Sequence, residues 1–271
     1  MKARLPGGME GRQTYFWRIF ATGTCFTLFG LGGLILGVLL FPATLLLPGG
    51  PERRRARMRG LVQRALHLFV RVMNGLRVIS YEFHGIERLG RTGQLIIANH
   101  PTLVDVVLIV AFTPAPCCVV KSAMFRNPFT RGVVRAAGYI SNSPTDEMIH
   151  GAVAALRSGD SLVMFPEGTR TRPGQPMQFA RGTASIAVQA ADVLTPVYVR
   201  CEPLLLPKFV PWYRVPPRRP HFTLEVGEDI DLAAYRGLPP PKASRLLNAW
   251  LLQHFTDRLG TSGGYNATSG N

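Results

Sequence analysis

Acidic residues are scarce in this chain: Asp and Glu number 16 in 271 positions against 31 Lys and Arg, for a formal charge of +15. Such a balance points to an anionic partner, either nucleic acid or an anionic membrane. Nucleic acid ranks lower, because there is no zinc-ligand spacing, no aromatic ribonucleoprotein motif and no recognition helix. The four cysteines, Cys25, Cys117, Cys118 and Cys201, have no metal spacing, and the six histidines form no spaced cluster, so no metal is expected. Cys117 and Cys118 are adjacent on a predicted strand, which turns them to opposite faces as small apolar residues of a reducing compartment. A Gly-x-Ser-x-Gly elbow is missing too. Gly159-Asp160-Ser161-Leu162 spells a hydrolase tetrapeptide, but its serine opens a strand late in the chain, where such a nucleophile has no role.

Charge is absent altogether from Ile19 to Gly50. Ile19 to Leu47 is apolar over more than the roughly 20 residues that cross a bilayer, so a membrane element is expected. Pro42 and the glycines Gly30, Gly32, Gly33 and Gly37 leave two forms open, a single span or a broken, re-entrant pair of helices. Both flanks are basic, with Lys2, Arg4, Arg12 and Arg18 before the segment and Arg53, Arg54, Arg55, Arg57 and Arg59 after it, which suits a return to the cytoplasmic face. A cleaved signal peptide is not expected, since the apolar run is too long and lacks a small-x-small cleavage site.

Residues 51–77 carry eight arginines and one acid, Glu52, interleaved with leucines, valines and Phe69. This reads as a basic amphipathic helix for an anionic lipid surface, where each basic side chain contributes about 1 kcal/mol. The competing reading is a helix packed on the domain with its charges solvated.

From residue 78 the pattern alternates. Strands are expected at 77–83, 94–98, 117–121, 139–141, 161–165, 194–200 and 221–226, and helices at 102–112, 129–137, 145–157, 181–191 and 241–260. Alternation of this kind predicts an α/β fold with a mainly parallel sheet sandwiched by helices. The expected organisation is a membrane-embedded segment over 1–50, the basic helix over 51–77, an α/β domain over 78–260 and a small, polar disordered tail over 261–271. Between 200 and 220 the chain is rich in proline, with Trp212 and Tyr213 beside arginines, a composition suited to a membrane interface or to a surface loop.

Two polar clusters follow apolar strands, placing both at the carboxyl edge where open α/β sheets bind ligands. The first is Ala98-Asn99-His100-Pro101-Thr102-Leu103-Val104-Asp105. An imidazole suits proton abstraction from an alcohol near neutral pH, and a carboxylate from the next helix's first turn can fix its tautomer. Thr102-x-x-Asp105 also fits a variant capping box, so a purely structural role competes. The second is Phe165-Pro166-Glu167-Gly168-Thr169-Arg170-Thr171, where a glycine turn brings backbone amides near a ligand and Arg170 and Arg172 offer forked donors for phosphate or carboxylate.

Asn-His-x4-Asp followed by Phe-Pro-Glu-Gly-Thr-Arg resembles the glycerolipid acyltransferase family typified by 1-acylglycerol-3-phosphate acyltransferase (PlsC-like). Phe179-Ala180-Arg181-Gly182 is similar to its Phe-Lys-x-Gly segment and Leu194-Thr195-Pro196-Val197 to its last block, so the likeness covers about residues 80–200. It implies a catalytic dyad of His100 and Asp105 and an acceptor site at Glu167, Gly168, Thr169 and Arg170. Lys121 and Arg181 are candidate phosphate or donor contacts, and Lys121 and amides near Gly168 are candidates for holding the oxyanion. It further implies no bound cofactor, acyl-CoA or acyl-ACP as co-substrate, and a lipid acceptor. An anionic bilayer is the expected surface, with the catalytic domain on its cytoplasmic face. One departure stands out: where the family has Ile-Asp-Arg, this chain has Ile140-Ser141-Asn142. Replacing a forked cation by an amide removes an anion contact worth about 1.5–3 kcal/mol, which opens the alternative of a non-phosphoglycerol acceptor, an amino-acid or pigment-type lipid.

Overall fold

The computed structural model describes residues 9–172 and 174–260. The expected tail over 261–271 and the flanking Lys2 and Arg4 lie outside the described residues. Helix α1 (Met9–Ile35) runs through a π-helical stretch (Leu36–Leu40) into α2 (Phe41–Leu45), and α3 is Pro51–Gly75. Then follow β1 (Ser80–His84), β2 (Gln94–Ala98), α4 (Asp105–Phe112), β3 (Cys117–Val120), α5 (Arg131–Ala136), β4 (Ile140–Ser141), α6 (Thr145–Arg157) and β5 (Leu162–Met164). The chain continues through α7 (Arg181–Ala190), β6 (Val193–Glu202), β7 (His221–Val226), the short α8 (Ala233–Arg236) and α9 (Pro240–Leu259).

The strands form one seven-stranded sheet in the order β1-β7-β6-β2-β5-β3-β4. Only β6 and β7 run antiparallel; the other neighbours are parallel, as the alternating pattern predicts. Side chains alternate across the pleat and so divide into two cores. Ile96, Ala98, Cys118, Val163 and Val199 meet α3, α4 and α5, while Leu95, Ile97, Cys117, Leu162 and Leu194 meet α6, α7 and α9. Cys117 and Cys118 thus enter opposite cores, and burial raises both thiols, Cys117 to about 11. β2 lies between β6 and β5, so the segments leaving β2 and β5 emerge side by side at the carboxyl edge.

The apolar run contains no internal hairpin. Backbone at both junctions stays right-handed helical, and the Phe41 N–H reaches back to the Leu36 carbonyl. A widened turn of this kind precedes Pro42, whose ring would clash with a carbonyl in a regular helix and whose nitrogen has no proton to donate. The stretch Thr14–Leu45, 32 residues long, is apolar enough to cross a membrane, with a mean hydropathy of 2.2 over its 18-residue apolar window. Two of its glycines, Gly33 and Gly37, serve close packing. A Cβ on Gly33 would lie 2.3 Å from the Phe129 carbonyl oxygen, and one on Gly132 would lie 2.9 Å from the Gly37 Cα.

Helix α3 is part of the domain body. Met58, Val62, Val70 and Met73 are buried, and α3 lies against α4. Arg59 is buried as well, donating through Nε to the Ala137 carbonyl at 2.8 Å and pairing with Asp160 at 2.6 Å. The boundary expected at 77 therefore falls inside one packed unit, because the apolar stripe of α3 is already covered by protein. Arg53, Arg55, Arg64 and Arg71 remain exposed on its other side.

Candidate active site

His100 leaves β2 just before α4 begins, and Asp105 is the first residue of that helix. The connecting turn folds back so that His100 Nδ1 lies 3.0 Å from Asp105 Oδ2. The same carboxylate accepts the Thr102 N–H at 2.6 Å on Oδ2 and the Thr102 hydroxyl at 2.6 Å on Oδ1. Of the expected capping box only the Thr102 N–H bond to the carboxylate forms, since α4 starts after Val104 with no side-chain cap; the same carboxylate grips the imidazole. Three donors on a fully buried carboxylate leave it no freedom to rotate. Since a carboxylate only accepts, His100 Nδ1 carries the proton, and Nε2 is left with its lone pair on a residue that borders a cavity. Phe165 lies against the ring, with centroids 4.5 Å apart.

Glu167 faces inward. Its Oε1 accepts the His100 backbone N–H at 2.9 Å and the Thr171 hydroxyl at 2.9 Å, while the Thr171 N–H donates to the His100 carbonyl at 2.8 Å. These bonds staple the segment after β5 to the residue that carries the imidazole. Burial pushes the Glu167 carboxyl above its ordinary value, against the pull of those two hydrogen bonds and of His100. The geometry gives Glu167 a positioning part, fixing His100 through its backbone.

The cavity beside His100 has a volume of about 300 Å³ and is bordered by Lys121, Asn142, Gly168 and Arg170. Arg170 donates to the carbonyls of Leu206 at 2.8 Å and Pro207 at 3.3 Å. Gly168, at φ 63°, makes the left-handed turn, but its N–H is already bonded to the Phe165 carbonyl at 2.9 Å. Of the oxyanion candidates, Lys121 is exposed at the cavity, while the Gly168 amide is already engaged. Thr169 and Arg181 are not part of the cavity lining, and Arg181 is exposed at the start of α7. Asn142 does line it, with its Oδ1 accepting the Ser122 N–H at 3.0 Å, so this side chain caps the turn that follows Lys121. Among the described residues no group of three His, Cys, Asp or Glu is placed to hold a metal.

A protein-family model described as acyltransferase matches residues 80–200. The relatives include 1-acyl-sn-glycerol-3-phosphate acyltransferases of Borreliella burgdorferi, 27% identical over 45% of this chain and 51% of that protein, and of Helicobacter pylori, 30% identical over 38% and 47%. A third, from Pseudomonas aeruginosa, is 24% identical over 53% of this chain and 58% of its own length. The chain thus spans about half the length of the curated relatives it matches. The crystal structure of the 1-acyl-sn-glycerophosphate acyltransferase PlsC from Thermotoga maritima shares the fold, with a TM-score of 0.65, 18% identity, and coverage of 92% of this chain and 97% of that one. Residues 80–200 thus match the acyltransferase family, and the relatives and the shared fold support a PlsC-like glycerolipid acyltransferase kinship for that part of the chain.

The cavity beside His100 adjoins two apolar chambers. One, of about 200 Å³, is lined by Phe26, Phe29, Leu103, Val106, Met124 and Leu205. The other, of about 140 Å³, is lined by Phe29, Leu36, Leu66, Val106, Val120 and Met124. Val106 and Met124 belong to all three linings, so α1 roofs apolar space that begins beside His100. A larger cleft of about 1010 Å³ lies between Tyr198, Asp229, Trp250 and His254; it is acidic at its rim and lacks the dyad, so size alone does not mark the site.

One cation was not singled out from the sequence. Lys208, in the connection after β6, is held below its ordinary value by desolvation and by repulsion from Arg172, Lys121 and Arg170. Nothing local distinguishes Lys208 from a surface lysine; only the fold brings it to the others. Lys208 thus stands with Arg172 beside Lys121 and Arg170, the two cations that border the cavity.

Proposed function

We propose that this protein is a membrane-bound O-acyltransferase that moves a fatty acyl group from an acyl thioester, acyl-CoA or acyl-ACP, to the hydroxyl of a lysophospholipid-type acceptor. The best fit is 1-acylglycerol-3-phosphate, giving phosphatidic acid, at the cytoplasmic face of an anionic bilayer. The observation that carries this reading is His100, its tautomer fixed by Asp105, at a cavity that Lys121 and Arg170 border and that adjoins apolar chambers. His100 Nε2 takes the hydroxyl proton as the oxygen attacks the thioester carbonyl carbon. The tetrahedral oxyanion collapses, the C–S bond breaks, and the departing thiolate receives the proton from the imidazolium. Asp105 stabilises that imidazolium without itself being protonated. General-base assistance of this kind contributes about 10²–10⁴ in rate.

The acyl chain lies under α1, and the acceptor's phosphate meets Lys121, Arg170, Arg172 and Lys208. These cations stand in for the forked contact that Asn142 does not provide. Asn142 itself favours a second reading, a lipid acceptor without phosphate, because its amide is the group at the wall where an arginine would meet an anion. The test is purified full-length protein in detergent, offered both donors with lysophosphatidate, other lysolipids and lipids bearing amine or alcohol groups. Free thiol and lipid product are followed separately. Phosphatidate formation with stoichiometric thiol release is expected; free fatty acid without acylated lipid would mark a hydrolase, and no turnover of any donor would leave only a membrane-binding module.

A further inference from the structure

We propose that the connection between β6 and β7, residues 203–220, is a second membrane-contacting element, its tip seated among the headgroups of an anionic bilayer beside α1. This rests on the membrane placement of α1 argued above and extends it to a separate part of the chain. The segment contains Lys208, Arg214, Arg218 and Arg219 and no acidic residue. Its tip holds four exposed apolar or aromatic side chains within five positions: Phe209 at 78% exposure, Val210 at 37%, Trp212 at 46% and Tyr213 at 51%.

The tip is displayed on a fixed base. Leu205, Leu206 and Val215 are buried, Arg170 holds the carbonyls of Leu206 and Pro207, and Arg219 donates to the Ile79 carbonyl and to Asn74 Oδ1, each at 2.8 Å. Phe209 sits at φ 68°, a region that bulky residues rarely occupy, and its side chain stands in the open. Two cations flank that ring, Lys208 Nζ at 5.1 Å and the Arg172 guanidinium at 5.6 Å from its centroid. Aromatics with basic neighbours are the combination that settles at headgroup depth.

Continuity with α1 selects the bilayer as occupant. Trp212 lies against Phe26 with centroids 6.0 Å apart, and its indole covers Gly23 so closely that a Cβ there would sit 3.3 Å away. Arg18 donates to the Pro217 carbonyl, closing the other side. Phe16, Phe20 and Trp17 on α1 are exposed too, so the apolar surface runs from the helix onto the tip. A bilayer holding α1 meets the tip at the same level, and the His100 cavity that Lys121 and Arg170 border then opens at the headgroups.

The test uses full-length W17F/W250F, in which Trp212 is the sole tryptophan, reconstituted into phosphatidylcholine and phosphatidylglycerol vesicles containing phosphatidylcholine brominated at shallow or deep chain positions. Blue-shifted Trp212 emission, quenched several-fold more by the shallow label than by the deep one and shielded from aqueous iodide, is the expected result. Emission typical of water-exposed indole, open to iodide and untouched by either bromolipid, overturns the proposal. If the double variant does not fold, the quenching lost between the parent protein and W212F reports the same quantity. W212S/Y213S is expected to turn over bilayer-embedded acceptor several-fold more slowly while keeping its rate on a short-chain acceptor dispersed as monomers; equal rates on both overturn it as well. Quenching does not depend on turnover, so a lipid-seated tip in a protein that acylates nothing would refute the proposed function alone.

Discussion

Asp105 and Glu167 both emerge at the carboxyl edge of the sheet, from the segments after two neighbouring strands, Asp105 fully buried and Glu167 half-buried. Asp105 receives three donors spread over both oxygens, one of them the imidazole. Glu167 takes its two on one oxygen, and the one from His100 comes from the backbone. The difference separates two tasks. One carboxylate sets the tautomer and angle of the ring, and the other sets where the ring's backbone stands.

The comparison breaks first at Asp105. Asp105→Ala removes the orienting partner and is expected to reduce kcat strongly, though less than loss of the base itself, as orienting acids do in comparable triads. If Asp105→Ala retained more activity than Glu167→Gln, the division of tasks would be wrong. Glu167→Ala strips the acceptor from the half-buried His100 N–H and should cost about 1 kcal/mol of stability, read as a lower Tm. Glu167→Gln keeps an oxygen for both bonds and should retain most of that stability.

The sign of the pH effect sharpens the point. Glu167 has a folded-state value above its unfolded one, so its ionisation destabilises the native protein as pH rises from the ordinary carboxylate range, about 4, until the folded value is passed. Glu167→Gln should therefore gain Tm relative to the parent across that window and then level. A difference that shrinks with rising pH would contradict the assignment.

Smaller effects lie at Lys208 and Asn142. Lys208→Ala is expected to raise KM for a phosphate-bearing acceptor about tenfold, equivalent to about 1.4 kcal/mol, with kcat little changed. Asn142→Arg should shift selectivity modestly toward phosphate-bearing lipids while costing about 1 kcal/mol for the lost cap on the Ser122 N–H. An unchanged acceptor profile would show that the existing cations already fill that role.

Much of this molecule was legible from sequence because its elements are short, strongly patterned and locally bounded. All seven strands fall where apolar runs stop at polar or glycine-containing turns, and His100 meets Asp105 because a six-residue turn can close on itself. Contacts between distant segments were not legible. The inward turn of Glu167 depends on β2 and β5 being neighbours, and the capture of Arg170 by the Leu206 and Pro207 carbonyls depends on how the proline-rich connection crosses the site. Arg181 fitted a motif by letter yet stands outside the cavity lining, since its place at the start of α7 leaves it exposed. Hydropathy measured the length of the apolar run; the backbone at Leu36–Leu40 decided that it stays one helix.

The central claim is that imidazole and carboxylate act as one unit, and a double-mutant cycle tests it most directly. His100→Ala, Asp105→Ala and the double variant would be compared for acyl transfer under single-turnover conditions, with folding checked by circular dichroism. The account predicts a loss of about 10²–10⁴ for His100→Ala and no further loss when Asp105 is also removed. Independent, multiplying effects, or a His100→Ala variant that keeps most of the parent rate, would contradict it.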